Sequence, residues 1–322
     1  MRVLVTGNSK YWKVGASIVR ALRRAGHETL MLDDRKVNRM VGWTLTQKWA
    51  VRQARAFKPD FVILDKCTAL DHETVYAIIK GRPNAMWYHD PPWVDSTHLP
   101  DIARVVSIMH MAQDVYVTGY TEGWSRHRAG VRFLPAAGEM ELVPVAPDPR
   151  FAADLAFIGT GYAADRAEFL AAVARGSGAR LRTWGQGWDQ WKDEVGATGV
   201  RVEREEFAKV CSSSAICLGV NPAHATQVTD WVSNRLWLTI LGGGFYLGGW
   251  GAGLATMLHD GEHCAFYRDR DGCVRLVREY LGDPERRDRI RRQGEAFVRR
   301  HHTFDERIKN LLGGYAFRNP LA

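Results

Sequence analysis

The chain is short of cysteine, with five in 322 residues, and short of acid over its first 58 residues. Cys67, Cys211, Cys217, Cys264 and Cys273 form no CxxC pair and sit in apolar or mixed surroundings. Reduced structural thiols are therefore expected, with no disulfide framework and no metal site. No run of about 18 apolar residues occurs, so no segment reads as a membrane span. The stretch from Met1 to Gly7 lacks the basic start, long apolar run and small-residue cleavage site of a secretory signal, which makes a cytoplasmic location the expectation. Hydrophobic residues at 46% and charged residues at 25% exclude a disordered chain.

What is present is unevenly distributed. Residues 1–58 hold 13 Lys and Arg against 3 Asp and Glu, whereas the remaining 264 hold 31 against 33. The whole basic excess thus lies in one segment. It suits an anionic partner, such as nucleic acid, an acidic acceptor or a membrane surface; a solvated basic helix face is the alternative.

Apolar β runs alternate with helical spacing. Arg2 to Thr6, Thr29 to Leu32, Phe61 to Leu64, Ala85 to Tyr88 and Val115 to Thr118 read as strands. Ser17 to Ala25 carries Ile18, Val19 and Leu22 on one side and stops at Gly26. Pro135, Gly138, Pro144, Pro147 and Pro149 then interrupt any periodicity and mark a linker. Beyond it the pattern resumes with strands at Leu155–Ile158, Leu181–Trp184, Ala215–Val220 and Phe245–Leu247. A charged helical stretch from Asp283 to Leu312 opens at a capping aspartate and an N1 proline. The expected class is α/β, with two Rossmann-like domains of parallel sheet, 1–147 and 148–322.

Glycine turns follow two of these strands, at Gly7-Asn8-Ser9-Lys10 and at Gly159-Thr160-Gly161. Backbone N–H groups at such turns can approach a phosphate, and Gly7, Asn8 and Lys10 are candidate acceptor- or phosphate-binding residues. Arg235 precedes a dense cluster that includes Gly243 and Gly244, and a fork-shaped guanidinium there suits a diphosphate. His89 and Asp90 follow a strand and precede Pro91-Pro92, a rigid loop in which either could position or deprotonate an acceptor hydroxyl. His224, after the Ala215 strand, is a candidate donor contact. His302 reads as structural. Trp43, Trp49, Trp87, Trp93 and Trp124 lie among Arg39, Lys48 and Arg52, where indoles could stack on bases or sugars, although core packing is the default for most of them.

Six ordered motifs in the second half resemble a known family. They are Asp154–Gly159 with Arg166; Trp184-Gly185-Gln186-Gly187-Trp188; Arg235 and Trp237 with Gly243-Gly244; Asp260-Gly261-Glu262; Tyr280-Leu281; and His302-Thr303-Phe304-Asp305-Glu306-Arg307. The first half matches more loosely, through Trp87–Pro92 and the run from Gly130 to Pro147. The chain resembles the spore maturation protein CgeB-like glycosyltransferases, relatives of the family-4 glycosyltransferases. That resemblance implies the GT-B architecture, two Rossmann-like domains with parallel sheets facing a central cleft. It also implies an acceptor-binding domain at 1–147 and a nucleotide-sugar-binding domain at 148–322. The donor would be a nucleotide-diphosphate sugar, with UDP-sugar favoured. Transfer would be metal-independent, with no cofactor and with retention of configuration. Carried over as donor-binding residues are Gly159, Gly161, Arg166, Gly185, Gly187, Arg235, Gly243 and Gly244. One departure stands out, because Leu238 occupies the place of the family's usual donor-holding glutamate.

The acceptor is left open by these residues. An anionic one is expected, with a nucleic acid base among the options, which would require extruding the nucleotide. A non-catalytic binder that kept the fold is one alternative, motivated by Leu238. An NAD(P)-dependent short-chain-type oxidoreductase or epimerase is another, with Asp33 as the ribose ligand, but Lys10 and Lys13 stand where its glycines belong.

Overall fold

The computed structural model describes residues 1–11, 13–90, 102–221 and 230–321, and the chain divides into two compact units. The first comprises Met1–Ala136 and Phe304–Arg318, the second Ala137–Thr303 and Asn319–Ala322.

In the first unit β1 (Arg2–Thr6), β2 (Glu28–Leu32), β3 (Phe61–Asp65), β4 (Asn84–Tyr88), β5 (Asp114–Val117) and β6 (Arg132–Phe133) form a parallel sheet in the order β2-β1-β3-β4-β5-β6. Every residue of β3 and β4 is buried, as their continuous apolar runs require of central strands covered on both faces. Around the sheet lie α1 (Val14–Arg24), α2 (Asp34–Val41), α3 (Trp43–Phe57), α4 (His72–Ile79), α5 (Ile102–Met111) and α6 (Thr121–Ser125). Helix α1 buries Ile18, Val19 and Leu22, and ends on Arg23 and Arg24, which face the negative end of its dipole. Asp33 and Asp71 cap α2 and α4 by accepting from Lys36 N and Thr74 N. The strand order reverses between β1 and β3, so the carboxyl ends of those two strands flank a crevice suited to ligands.

In the second unit β7 (Ala153–Ile158), β8 (Leu181–Trp184), β9 (Ser214–Gly219), β10 (Tyr246–Gly249) and β11 (Ala265–Tyr267) form a parallel sheet ordered β11-β10-β9-β7-β8. Its helices are α7 (Ala164–Ser177), α8 (Glu205–Ser213), α9 (Asn234–Leu241), α10 (Ala252–Met257), α11 (Arg270–Gly282) and α12 (Pro284–His301). Leu155, Phe157, Leu170, Ile216, Phe245 and Val277 meet in its core, each worth about 1.5–3 kcal/mol of burial. Here the order reverses between β7 and β9.

The boundary expected at 147/148 differs from this division, for reasons visible in the packing. Residues beyond Ala136 stay with the second unit because Arg299 donates to the carbonyls of Met140 and Leu142 at 2.9 Å, and Gly138 N donates to His302 O. The helical stretch expected from Asp283 to Leu312 breaks at His302-Thr303. Its last part, α13 (Phe304–Gly313), belongs to the first unit. There Phe304 meets the Trp87 ring edge-on at 6.0 Å, Arg307 Nε donates to Pro135 O, and Arg24 pairs with Asp305.

Asp34, at the start of α2, is wholly buried and accepts from Ala69 N at 2.6 Å. Burial, more than any neighbour, raises its pKa from the ordinary carboxylate value to about 6. Because the folded pKa exceeds the unfolded one, stability is highest below about pH 4 and declines as pH rises towards 6. Asp34→Asn keeps an acceptor for Ala69 N and removes the buried charge. Thermal melts should show this variant more stable than wild type at pH 7–8, by on the order of 2 kcal/mol, and level with it near pH 4; a pH-independent difference would refute the buried-charge account.

Candidate functional site

The second unit gathers charge at the carboxyl ends of β7 and β9. Ser233 caps α9 and aims its first turn at that edge, so Arg235 enters beside Gly159, the first residue after β7. A Cβ on Gly159 would lie 2.8 Å from the Arg235 guanidinium and 2.9 Å from the Phe157 ring, so a larger residue there would have to displace one of them. Arg235 Nη1 donates to Val220 O, just past β9, and the guanidinium carbon stands 4.5 Å from the Phe157 ring centroid. Arg166, from the first turn of α7, shares the same ring at 5.6 Å, and its Nη1 donates to Thr160 O at 2.7 Å. Its Nε is buried without a partner.

Burial first, and then the Arg166 charge, lowers the Arg235 pKa to about 10, so it stays protonated at neutral pH. Apart from Arg166, the groups acting on it are the hydroxyls of Tyr246 and Tyr267, and no carboxylate among the described residues does so. Arg166 is likewise lowered by burial, against a smaller opposing pull from Asp165. Two cations held in a poorly hydrated place, one of them with an unsatisfied N–H, have the chemistry to receive a polyanion.

Three of the expected donor glycines, Gly159, Gly161 and Gly185, shape the loops beside this pair. Gly159 N donates to Trp184 O and Gly161 N to Gln186 O, while Trp188 Nε1 donates to Gly159 O. The loops after β7 and β8 are therefore zipped together, and the N–H groups of Gly159 and Gly161, expected to meet a phosphate, are already engaged. Gly185 has φ +132°, and a Cβ there would fall 2.1 Å from Gly159 O. The expectation for Gly243 and Gly244 is corrected outright. They follow the carboxyl end of α9 and precede β10, so they lie at the amino edge of the sheet, the length of an eight-residue helix (about 12 Å) from Arg235. Their role is to end the helix: Gly243 N and Gly244 N donate to Ile240 O and Thr239 O. Leu238 lies one turn beyond Arg235 on α9 and brings no carboxylate. His224 lies outside the described residues.

In the first unit His89 and Asp90 follow β4 at the carboxyl edge, and the structure adds two residues that sequence reasoning missed. Asp65 ends β3 and lies against Gly7, with Oδ1 3.1 Å from His89 Nε2, close enough to pair though not aligned as a hydrogen bond. Lys66 pairs with Asp90, whose own carbonyl accepts from Trp124 Nε1. Lys66 and Cys67 both adopt positive φ, at 62° and 46°, a strained turn that sends Asp65 towards His89 and Lys66 towards Asp90. The missed signal was an acid and a lysine closing a central apolar strand, Leu64-Asp65-Lys66.

The Gly7-Asn8-Lys10 turn does not fit a phosphate. Gly7 N donates to Leu32 O, Ser9 N to Asp33, and Lys10 N to the Asn8 side chain, with two carboxylates, Asp33 and Asp65, beside the turn. Asp33 holds Ser9 through Oδ2 and caps α2 through Oδ1, so the ribose contact required by the oxidoreductase reading is already occupied by the protein itself. Of the tryptophans, Trp87 and Trp124 are core, Trp43 is exposed, and Trp93 lies outside the described residues.

Comparison with known proteins accords with this geometry. The model of the glycosyl transferase-like family matches residues 166–313. Sucrose-phosphate synthase of Thermosynechococcus elongatus superposes with a TM-score of 0.66 at 13% identity, covering 98% of each chain. HepE of Anabaena, in complex with UDP and glucose, gives 0.68 at 10% identity, covering 98% of this chain and 99% of its own. The fold is GT-B. An α-glucosyltransferase in complex with UDP and a 13-mer DNA containing an HMU base gives 0.64 at 10% identity, covering 96% of this chain and 98% of its own. A search of curated protein sequences found no match. The matched segment begins at Arg166 itself, runs through the second unit and ends with α13 of the first. No helix among the described residues is long and apolar enough to cross a membrane.

Gly185→Ala should force the two glycine loops apart, lowering stability by about 2 kcal/mol or more and the Tm by roughly 5 °C. Differential scanning calorimetry checks this, and an unchanged melt would mean that the loops are not interlocked.

Proposed function

We propose that this chain transfers a sugar from a nucleoside-diphosphate sugar, a UDP-sugar in the favoured case, to an acceptor hydroxyl, as a member of the CgeB-like group. The observation that carries the reading is the Arg166–Arg235 pair over Phe157, which offers a polyanion two guanidinium groups and no carboxylate beside Arg235. Support comes from the family match and from the GT-B neighbour in complex with UDP and glucose.

In this reading the bond from the sugar C1 to the β-phosphate oxygen breaks, and its electron pair leaves with the nucleoside diphosphate. The acceptor oxygen forms the new bond to C1 and loses its proton. The guanidinium groups and the amino end of α9 meet the charge on the leaving diphosphate, so no metal is required. The residue that holds the ribose or sugar is one other than Leu238. On the acceptor side His89 is the working group, with Asp65 orienting its ring. Retention of configuration follows from the resemblance, with the acceptor proton carried off on the diphosphate and His89 positioning the hydroxyl. The Asp65–His89 pair favours a second reading, inversion, in which His89 takes that proton itself. The acceptor is proposed to be anionic, on the strength of the basic first segment, and a nucleic acid base is one class supported by the DNA-bound neighbour.

Thermal shifts against UDP, GDP, ADP, TDP, CDP, NAD and NADP test the donor. Stabilisation by one nucleoside diphosphate is expected, and a shift with NAD or NADP alone would overturn the proposal. Arg235→Ala should weaken nucleoside-diphosphate binding by about 10- to 100-fold, with Arg235→Lys recovering only part because an ammonium has no fork. His89→Gln should lower kcat by about 100-fold while leaving donor affinity intact. The anomeric configuration of the product, read by NMR, separates retention from inversion.

A further inference from the structure

The corner between α2 and α3 is built inside out. Helix α3 buries small residues, Thr46, Ala50 and Ala54, and half-buries Trp49, Val51 and Phe57, while Trp43 and Leu45 at its start stay exposed. Met40, Val41, Trp43 and Leu45 are 73%, 43%, 45% and 55% exposed, and every residue from Arg39 to Leu45 is exposed. Four large exposed apolar side chains within six residues are more than scattered surface hydrophobes. Along the chain the charge from Arg35 to Pro59 is of one sign, since no Asp or Glu occurs there, while Arg35, Lys36, Arg39, Lys48, Arg52 and Arg55 are exposed; the nearest acids on the neighbouring helix are Asp71, its cap, and Glu73. The corner also has a defined position. Gln47 donates to Ala69 O and accepts from Asp71 N, both just beyond β3, which sets the start of α3 at the sheet edge that carries Asp65 and His89.

We propose that this corner docks the protein on an anionic lipid surface, with Met40, Val41, Trp43 and Leu45 entering the acyl boundary and the basic side chains of α2 and α3 meeting the headgroups. An indole at the interface, aliphatic side chains beneath it and lysines and arginines around them match a bilayer surface in chemistry and charge. A nucleic acid would satisfy the basic groups but give the aliphatic ones nothing to bury against. Docking at this edge would bring the His89 side of the first unit to acceptors held on a membrane. The inference goes beyond the transfer reaction and does not depend on it.

Co-sedimentation of the full chain with vesicles tests it, comparing phosphatidylcholine alone with phosphatidylcholine containing about 30% phosphatidylglycerol. Binding to the anionic vesicles is expected, with at least about tenfold weaker binding to the neutral ones. The triple variant M40S/W43S/L45S alters only exposed positions. It should keep the wild-type melting curve and lose anionic-vesicle binding by about tenfold or more. Acyl-brominated lipid should quench part of the tryptophan emission in wild type, and that part should vanish in Trp43→Phe. Failure to bind either vesicle would overturn the proposal. So would vesicle binding indifferent to the triple variant, or binding of a DNA or RNA oligonucleotide with no affinity for vesicles.

Discussion

Two like charges held close together, with little water and no carboxylate beside Arg235, are costly to keep, and the second unit is organised around that cost. Phe157 offers both guanidinium groups a π face, the carbonyls of Thr160 and Val220 each accept one N–H, and a bare glycine backbone at Gly159 makes room for Arg235. The interlocked glycines at 159, 161, 185 and 187 follow from this arrangement, since the loops after β7 and β8 must lie close for the Phe157 end of the sheet to stay rigid.

The first unit solves a similar problem with carboxylates. Left-handed residues at Lys66 and Cys67 bend the chain at the end of β3, so that Asp65 reaches His89 and Lys66 reaches Asp90. Strain at this point persists because the central strands β3 and β4 are fully buried and over-determine it. A histidine and carboxylate at the carboxyl edge of one sheet, and an arginine pair at the carboxyl edge of the other, are what parallel strand direction produces: all βα loops emerge on one edge.

Much of the motif content that made the chain resemble a family turns out to support the fold rather than touch a ligand. His302 stacks on Trp237 at 4.3 Å, and Arg307 is buried with its Nε on Pro135 O. Asp260 accepts from Phe266 N, and the Gly261 turn closes on Cys264 O. Such residues announce a fold because each fills one place that no other side chain fills. Gly243 and Gly244 were misread for this reason: a glycine cluster marks tight backbone, and nothing local distinguishes a helix stop from a phosphate loop.

By itself the sequence determined the alternation of buried strands and helices, the two-unit plan and the basic first segment, and it singled out Arg166, Arg235 and His89 as candidates. All are local in period or in composition. Only the tertiary structure decided that Asp65 is the partner of His89, that Gly243 and Gly244 face the wrong edge, and that the last helix returns to the first unit. The physical reason is common to all three. Which edge of a sheet a residue occupies, and which distant side chain it meets there, depends on strand order and direction, and those are set by burial summed over the whole chain rather than by any window of it.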